Sequence, residues 1–465
     1  MIALIRRPRP FLPLAALVAV VLIGIASQLH AIGPDGALPA GVDEPLLDQG
    51  AGQGDAGAGS AEGGDPAVEL QRIHDDVTFW AERLQRRPRD IVSAVKLAET
   101  SIEQARATGD VTAYLRAEAA AAAALKAQPD YKPALATRAT ILVALHRFPE
   151  ARAIAKTLLR DDPQDLVALG VLGDASLEVG DLATARQAYE TLSLIGDSAA
   201  SRIRRMRLAY VEGDTTNAIE SARSAVAGAI DDGIEGSGLA FYHAALGDLL
   251  AATGHADEAR SAYQDALNAR PGWPAALAGI GRLDAGQGDL DGAIRSYDQA
   301  IATIPLPESL ARRGDLLMQR AGQGDAAKAA DDYATVEAIA KLAGDAANVY
   351  DRTLALYLAD HHLDTSRALG LAESELKVRK DVFGYDAYAW ALLAAGRPAD
   401  AQQAMDQARA FGTVDARLLY HAGMIALAND HRDDARTLLR QALDLEPGFD
   451  PFGASRARQA LASLS

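Results

Sequence analysis

A period of 34 residues constrains the fold of this chain more than any other feature of its sequence. Residues 241–271 read FYHAALGDLLAATGHADEARSAYQDALNARP, and a degenerate copy of this segment follows at 275–305. The positions that repeat with this offset are Gly247 and Gly281, Gly254 and Gly288, Ala259 and Ala293, Tyr263 and Tyr297, Ala266 and Ala300, and Pro271 and Pro305. A repeat of this length is one supersecondary unit that buries its apolar face by stacking against its neighbours. We therefore expect an array that grows unit by unit.

The period and the set of small, aromatic and proline positions resemble the tetratricopeptide repeat (TPR) family. The resemblance covers about residues 67–465 and implies an all-α, right-handed superhelical solenoid of helix-turn-helix units. The lead-in FWAERLQRRPRD and the last repeats are similar to those of exported or membrane-anchored bacterial TPR proteins. One departure is the family's tryptophan early in the first helix, since His243 and Leu277 occupy that position here.

The anchor alanine of the second helix of each unit, helix B, can be followed through the array. Its steps of 33 to 41 residues indicate about ten units over residues 98–450. The alanines are Ala117, Ala151, Ala185, Ala218, Ala259, Ala293, Ala329, Ala368, Ala401 and Ala435. In the first helix, helix A, small residues are expected to let the two helix axes approach closely. These residues are Gly173, Gly247, Gly281, Gly314 and Gly423.

Glycine-aspartate pairs are expected at the turns from helix A to helix B. The glycine permits a left-handed backbone conformation, and the aspartate caps helix B. The pairs are Gly180-Asp181, Gly213-Asp214, Gly288-Asp289 and Gly324-Asp325.

Basic residues precede an apolar run near the start of the chain. Arg6, Arg7 and Arg9 come before the uncharged residues 11–26, which indicates an export signal whose basic flank stays in the cytoplasm. We interpret residues 1–31 as either a cleaved signal peptide or a signal-anchor transmembrane helix. The rest of the chain is then outside the cytoplasm, either anchored in the cytoplasmic membrane by this helix or secreted.

Three further segments flank the repeats. Residues 32–65 are rich in Gly, Ala and Asp, carry no Lys or Arg, and are predicted to be a disordered acidic linker. Residues 66–97 are predicted to contain a lead-in helix and the start of the array, and residues 451–465 a C-terminal capping helix. The apolar stripe of the lead-in helix is Leu70, Ile73, Val77, Trp80 and Leu84.

Composition argues against several classes of function. The formal net charge of −17 repels nucleic-acid phosphates, so we expect no nucleic-acid partner. The chain has no cysteine, which excludes disulfides and thiolate chemistry. It also has no Gly-x-Ser-x-Gly elbow, no phosphate-binding loop and no His-Glu-x-x-His motif. We therefore predict no enzyme activity, no cofactor and no metal.

One dense cluster of metal-competent side chains keeps an alternative open. Asp360, His361, His362 and Asp364 fall at a predicted turn. Adjacent histidines point to different sides of a helix, so both can bind one ion only in a loop. An accessory protein of a transport or metal-handling system would use this turn, and otherwise it is a solvated turn.

The concave wall of the array is the expected binding surface. In stacked TPR units this wall is made mainly by helix A, and carrying the family's ligand-facing positions over to this sequence gives Arg204, Arg207, Arg282, Arg312, Phe383, Trp390, Tyr420 and Met424. The arginines can bind carboxylates of an acidic or C-terminal peptide, or pair with neighbouring acids such as Asp248 and Asp315. The aromatic residues can hold apolar side chains of a partner or belong to the core between repeats.

These observations lead to one main expectation. The chain is predicted to be a non-catalytic TPR scaffold that binds a protein or peptide in its concave groove outside the cytoplasm. Its contact with the membrane is limited to the N-terminal segment. Besides the metal-handling alternative, a structural spacer that acts through oligomerisation fits the same sequence.

Overall fold

The computed structural model describes residues 66–108, 111–343 and 351–464. Within these ranges the chain forms twenty-two helices and no strand. The predicted export segment at 1–31 and the predicted linker at 32–65 lie outside the described residues. Among the helices that are described, none has the length and apolar character needed to cross a bilayer.

The helices form ten consecutive pairs, which we number units 1 to 10, between a lead-in helix and a closing helix. The lead-in helix is α1 (Pro66–Arg86), and the closing helix is α22 (Pro451–Leu464). The A helices are α2 (Ile91–Thr108), α4 (Lys132–Ala144), α6 (Leu166–Glu178), α8 (Ala199–Val211), α10 (Gly236–Ala252), α12 (Pro274–Gly286), α14 (Pro307–Arg320), α16 (Asp351–Asp360), α18 (Val382–Ala394) and α20 (Ala416–Ala428). The B helices are α3 (Val111–Ala127), α5 (Phe148–Asp161), α7 (Leu182–Ile195), α9 (Thr215–Asp231), α11 (Ala256–Ala269), α13 (Leu290–Thr303), α15 (Asp325–Ala343), α17 (Thr365–Val378), α19 (Pro398–Arg409) and α21 (Arg432–Leu445).

Small residues bring the two helices of each pair together. All ten anchor alanines of the B helices are fully buried, as the spacing predicts. On helix A, a Cβ placed on Gly247 would lie 2.6 Å from the ring of Tyr263, and one on Gly314 would lie 2.6 Å from the ring of Tyr333. The glycine thus leaves room for an aromatic ring, and the helices pack at a distance that no larger residue permits.

The turns from helix A to helix B have the predicted chemistry in three of the four cases. The carboxylates of Asp181, Asp214 and Asp289 each accept a hydrogen bond from the backbone N–H three residues later, and so cap helix B. The fourth, Asp325, differs. It accepts instead from the backbone N–H of Gly322 at 2.8 Å and from Nε of Arg320 at 2.8 Å, so it closes the preceding loop.

The array folds back on itself along a seam that joins its middle to its last third. One side of the seam is formed by residues 178–180, 210–213, 254, 282–286 and 312, on the A helices of units 3 to 7 and the turns that follow them. The other side is formed by residues 379–380, 411–415 and 445–450, in the connections that follow α17, α19 and α21. The seam therefore covers part of the inner wall with the chain's own C-terminal units.

Backbone contacts make the seam tight. A Cβ on Gly213 would overlap the carbonyl oxygen of Gly412, and one on Gly448 would lie 2.5 Å from Cα of Gly286. Nearby, Oγ1 of Thr413 donates to the carbonyl oxygen of Val211 at 2.6 Å. Such approaches require glycine on both sides, because a side chain would separate the two backbones.

The two terminal helices close the ends of the array. The predicted stripe of α1 packs onto unit 1, with Ile73 fully buried. The start of α1 also reaches unit 5, where the Glu69 carboxylate accepts from Ser237 at 2.7 Å and pairs with Arg270 at 3.1 Å. In α22, Ala457 and Leu464 are buried, as expected for a capping helix.

Candidate functional site

The four arginines predicted to line the groove are buried. Arg204, Arg207, Arg282 and Arg312 expose between 2% and 7% of their surface. Burying a guanidinium is costly unless carboxylates or carbonyls satisfy it. The partners of these arginines therefore decide what the inner wall can bind.

A repeated motif, which we call the Tyr–Asp–cation ladder, accounts for two of these arginines. In each rung a helix-B tyrosine donates to a helix-A aspartate at 2.7–2.8 Å. The same aspartate bonds a cationic side chain from the next unit at 2.8–3.3 Å. The rungs are Tyr189–Asp174–Arg204, Tyr263–Asp248–Arg282 and Tyr333–Asp315–His361.

The ladder has a structural role. Burial is the largest influence on Asp174 and Asp248 and raises the pKa of each carboxyl, while the partner guanidinium of Arg204 or Arg282 opposes it. A carboxylate in this position depends on its cation, because losing the cation would leave a buried and unpaired charge. The pairing with Asp248 that we considered for Arg282 is therefore present, and it ties unit 5 to unit 6.

Arg207 belongs to a buried network that crosses the seam. It donates to Glu178 at 2.6 Å, and the other carboxylate oxygen of Glu178 pairs with Arg379 of unit 8 at 2.6 Å. Burial acts to raise the pKa of Glu178, but the charges of Arg379 and Arg207 outweigh it and lower the pKa to about 2. Glu178 is therefore ionised at every physiological pH, and it joins the two sides of the seam.

Arg282 and Arg312 bind an acidic segment, but this segment belongs to the chain itself. Nε of Arg282 pairs with Glu446 at 2.9 Å. Arg312 donates to the carbonyl oxygen of Phe449 at 2.9 Å and pairs with Asp450 at 3.1 Å. The recognition of carboxylates that the sequence suggested for these arginines thus occurs within the array.

The predicted aromatic part of the wall is packed between units 8, 9 and 10. Trp390 stacks on His421 with ring centroids 4.1 Å apart, and Tyr420 lies against Phe449 at 5.2 Å. Phe383, like Trp390 and Tyr420, is buried, whereas Met424 is partly exposed at the margin of the same core.

A cleft between units 7, 8 and 10 is open to solvent. The empty space in the cleft and at its mouth together is about 480 Å³. Helices α14, α15, α16 and α20 contribute to it, together with Asp450 in front of α22. Apolar residues and charged residues both line it: Pro307, Glu308, Ala311, Arg312, Asp315, Val336, Thr353, Leu356, Tyr357, Asp360, His361, Arg417 and Asp450.

His361 forms one polar corner of the cleft. Its Nε2 bonds Asp315 at 2.8 Å, and its Nδ1 bonds the backbone carbonyl oxygen of Tyr357 at 2.8 Å. Burial acts to lower the pKa of His361, but the hydrogen bond and charge of Asp315 outweigh it and raise the pKa to about 8. Both ring nitrogens face acceptors, which is the arrangement that an imidazolium requires.

Two oppositely charged side chains in the cleft, Asp360 and Arg417, form no direct ion pair with the described residues. Asp360 accepts one hydrogen bond, from Nε1 of Trp390 to Oδ1 at 2.8 Å, and its Oδ2 accepts none from the described residues. Arg417 forms neither a hydrogen bond nor a direct ion pair within the described part of the chain. Burial, reinforced by the charge of Asp450, raises the pKa of Asp360.

The histidine cluster does not assemble a metal site among the described residues. No group of three or more metal-competent side chains occurs there. His361 is turned inward to Asp315, whereas His362 is exposed at a backbone position with φ of 49°. His421, on α20, bonds Asp386 at 2.9 Å.

Sequence reasoning did not predict the cleft. Of its lining residues, Arg312 was predicted to line the groove, and Asp360 and His361 belonged to the cluster of metal-competent side chains, whereas Arg417 and Asp450 gave no signal. The spacing of 34 residues could place Asp360 and Arg417 on their own helices, but it contains no information on which units meet across the seam.

Comparison with known proteins agrees with this architecture. The model of a "tetratricopeptide repeat-like domain" matches residues 149–273, and a second model, "tetratricopeptide repeat", matches residues 244–306. No protein with a curated description matches the chain.

Three solved structures illustrate the similarity of the chain to known proteins. A tetratricopeptide repeat protein from Parabacteroides merdae is 14% identical, with a TM-score of 0.39, over 51% of this chain and 93% of that protein. Yeast Tom70 is 13% identical, with a TM-score of 0.34, over 85% and 93% of the two chains. MamA is 21% identical, with a TM-score of 0.29, over 36% and 93%.

The family models together cover residues 149–306, from helix B of unit 2 to the end of unit 6, and the same buried alanines continue in the pairs on both sides of them. These matches identify tetratricopeptide repeats within residues 149–306.

Proposed function

We propose that this TPR protein is a non-catalytic scaffold that binds a protein or peptide partner in the cleft between units 7, 8 and 10. TPR repeats generally serve as protein interaction scaffolds. The observation that carries the proposal is the pair of unused charges, Asp360 and Arg417, in a concave site with apolar walls. Pockets that combine apolar walls with a few placed polar groups are typical of binding sites.

The seam changes where binding can take place. Three of the predicted wall arginines, Arg204, Arg207 and Arg282, are held by carboxylates of the chain, so a ligand would have to displace these carboxylates. Arg312 is the exception, since it lines the cleft as well as pairing with Asp450. A partner side chain can therefore reach Arg312 without opening the seam.

A substitution that fills the cleft tests the proposal. Ala311 is a partly buried cleft residue on α14, and Ala330 is an exposed residue on α15 of the same unit. We expect Ala311→Phe to lose the partners that the wild-type array captures by cross-linking in cells, and Ala330→Phe to keep them. Equal partner lists for the two variants would overturn the proposal and would favour the spacer alternative.

The location outside the cytoplasm is part of the proposal and is supported by sequence alone. Arg6, Arg7 and Arg9 before the apolar residues 11–26 are its basis. If the C-terminus lies outside the cytoplasm, alkaline phosphatase fused to it should be active, and green fluorescent protein fused to it should not fluoresce. The opposite pattern would place the array in the cytoplasm. Extraction with alkaline carbonate then separates an anchored protein from a secreted one.

A further inference from the structure

We propose that the cleft binds a lysine or arginine side chain of the partner, an inference that rests on the proposed function. Its basis is the combination of a free carboxylate oxygen, an excess of acidic groups and apolar walls in one concave site.

The acidic groups of the cleft outnumber its cations. The four acids are Glu308, Asp315, Asp360 and Asp450, and the three cations are Arg312, Arg417 and His361, whose pKa is about 8. Arg312 satisfies both Glu308 and Asp450, and His361 satisfies Asp315. Asp360 remains without a cation in direct contact, so an incoming ammonium or guanidinium group would complete its coordination.

The walls suit the stem of a long basic side chain. Ala311, Val336 and Leu356 provide apolar surface, and Tyr357 lines the same cleft. Lysine and arginine bury their methylene stems against apolar surface while the charged head reaches polar groups. A cation beside an aromatic ring gains additional attraction.

A carboxylate bound to Arg417 is the rival ligand. Arg417 lines the cleft together with Asp360 and Asp450, and its charge favours the ionised forms of both carboxyls. An added carboxylate would meet the repulsion of these two groups. The local charge therefore favours a cation.

Selection from a displayed library of random dodecapeptides on the full-length protein in detergent tests the inference. We expect the selected peptides to share a Lys or Arg, and a synthetic peptide from the selection to bind Asp360→Asn at least tenfold more weakly than the wild type. Asparagine keeps an acceptor for Trp390, so the variant should fold, as circular dichroism can verify. Replacing the peptide's basic residue with norleucine should weaken binding to the wild type but not to Asp360→Asn.

The control is Glu190→Gln, which removes one exposed charge from α7 and should bind as the wild type does.

Two results would overturn the inference in distinguishable ways. Peptides that share an Asp or Glu and lose binding with Arg417→Ala would show that the cleft recognises a carboxylate, and the scaffold function would stand. Peptides whose binding survives Ala311→Phe would show that the cleft is not the binding site, and both proposals would fail.

Discussion

A single methyl group is the smallest change that tests the packing within a unit. Gly247 faces the ring of Tyr263, and a Cβ there would lie 2.6 Å from two of its carbons. Gly247→Ala should lower the free energy of unfolding by about 1–3 kcal/mol, because overpacking in a tight core costs this much. Urea denaturation measures the change.

The control uses another helical glycine. Gly370 is exposed within α17 and has nothing within 4 Å of its added Cβ. Gly370→Ala should raise the free energy of unfolding by about 0.5–1 kcal/mol, because alanine is the better helix former. If both substitutions changed the free energy of unfolding in the same direction, close packing would not explain why helix A has glycine at these positions.

His361 gives the array a dependence on pH. Its folded pKa of about 8 lies above the value of 6.5 for an unperturbed histidine. When a pKa is higher in the folded than in the unfolded protein, protonation of the group stabilises the fold. This stabilisation is complete at a pH below the pKa of the unfolded state, and it is lost as the pH rises through the pKa of the folded state. The free energy of unfolding should therefore fall by about 2 kcal/mol between pH 6 and pH 9.

Urea denaturation across that pH range tests the assignment to His361. His361→Gln should remove most of the fall, because glutamine bonds Asp315 without a titrating proton. His243 and His362 have lowered pKa values, so they act below pH 6.5 and do not confuse the measurement. A profile that is the same in the variant would place the titration elsewhere.

At the scale of helices, the ladder joins unit 3 to unit 4, unit 5 to unit 6 and unit 7 to unit 8 through buried charge. Arg204 of α8 bonds Asp174 of α6 with distances of 3.0–3.1 Å. Arg204→Met should lower the free energy of unfolding by about 3–5 kcal/mol, since it leaves a buried carboxylate without its cation. The loss should shrink in acid, because burial raises the pKa of Asp174 and protonation then removes the charge.

A double variant removes the buried carboxylate that Arg204→Met leaves without a partner. Asp174→Asn combined with Arg204→Met should recover much of the stability, and asparagine still offers an acceptor for the Tyr189 hydroxyl. Denaturation of the two single variants and the double variant gives the coupling free energy. A double variant as unstable as the sum of the single variants would mean that the two residues do not act as a pair.

Much of each unit could be predicted from the sequence, because the determinants of a helix pair are local. The anchor alanines, the glycines facing tyrosine rings and three of the four aspartate caps lie within one period of 34 residues. Asp315 shows where this reasoning stops. We considered it as a partner for an arginine, but His361 occupies it, because Arg312 reaches across the seam to Asp450.

The candidate site was beyond prediction for the same reason. The cleft requires α14, α16 and α20 to meet, which depends on how the array curves over several units. Curvature results from small rotations between successive pairs, and no single residue type records it. The sequence offered carboxylates as partners for Arg282 and Arg312, but the carboxylates that these two arginines reach across the seam, Glu446 and Asp450, lie 164 and 138 residues further along the chain.

For the whole molecule, the seam should alter the way in which the array unfolds. Units of a solenoid normally contact only their neighbours, so unfolding can spread from one end and cooperativity declines with length. Here the seam adds contacts between units 3 to 7 and units 8 to 10. These units should therefore unfold together in one transition.

Two turn glycines share the same backbone conformation, but only one of them lies in the seam. Comparing their alanine variants distinguishes the effect of the seam contact from the effect of local backbone strain. Gly213 and Gly288 both precede a capping aspartate, with φ of 77° and 83°. A Cβ on Gly213 would overlap the carbonyl oxygen of Gly412 in the seam, whereas a Cβ on Gly288 has nothing within 4 Å. Both alanine variants carry the cost of a left-handed residue, about 1–2 kcal/mol. Only Gly213→Ala also forces the two sides apart.

We expect Gly213→Ala to split the denaturation curve into two transitions and to increase the radius of gyration measured by small-angle X-ray scattering. Gly288→Ala should shift a single transition and leave the radius unchanged. If the two variants behaved alike, the strain of the turn would explain both, and the seam would contribute little to the cooperativity of the array. A split confined to Gly213→Ala would mean that the C-terminal units are held in place by the seam as well as by their neighbours, so that opening the seam would expose Arg282.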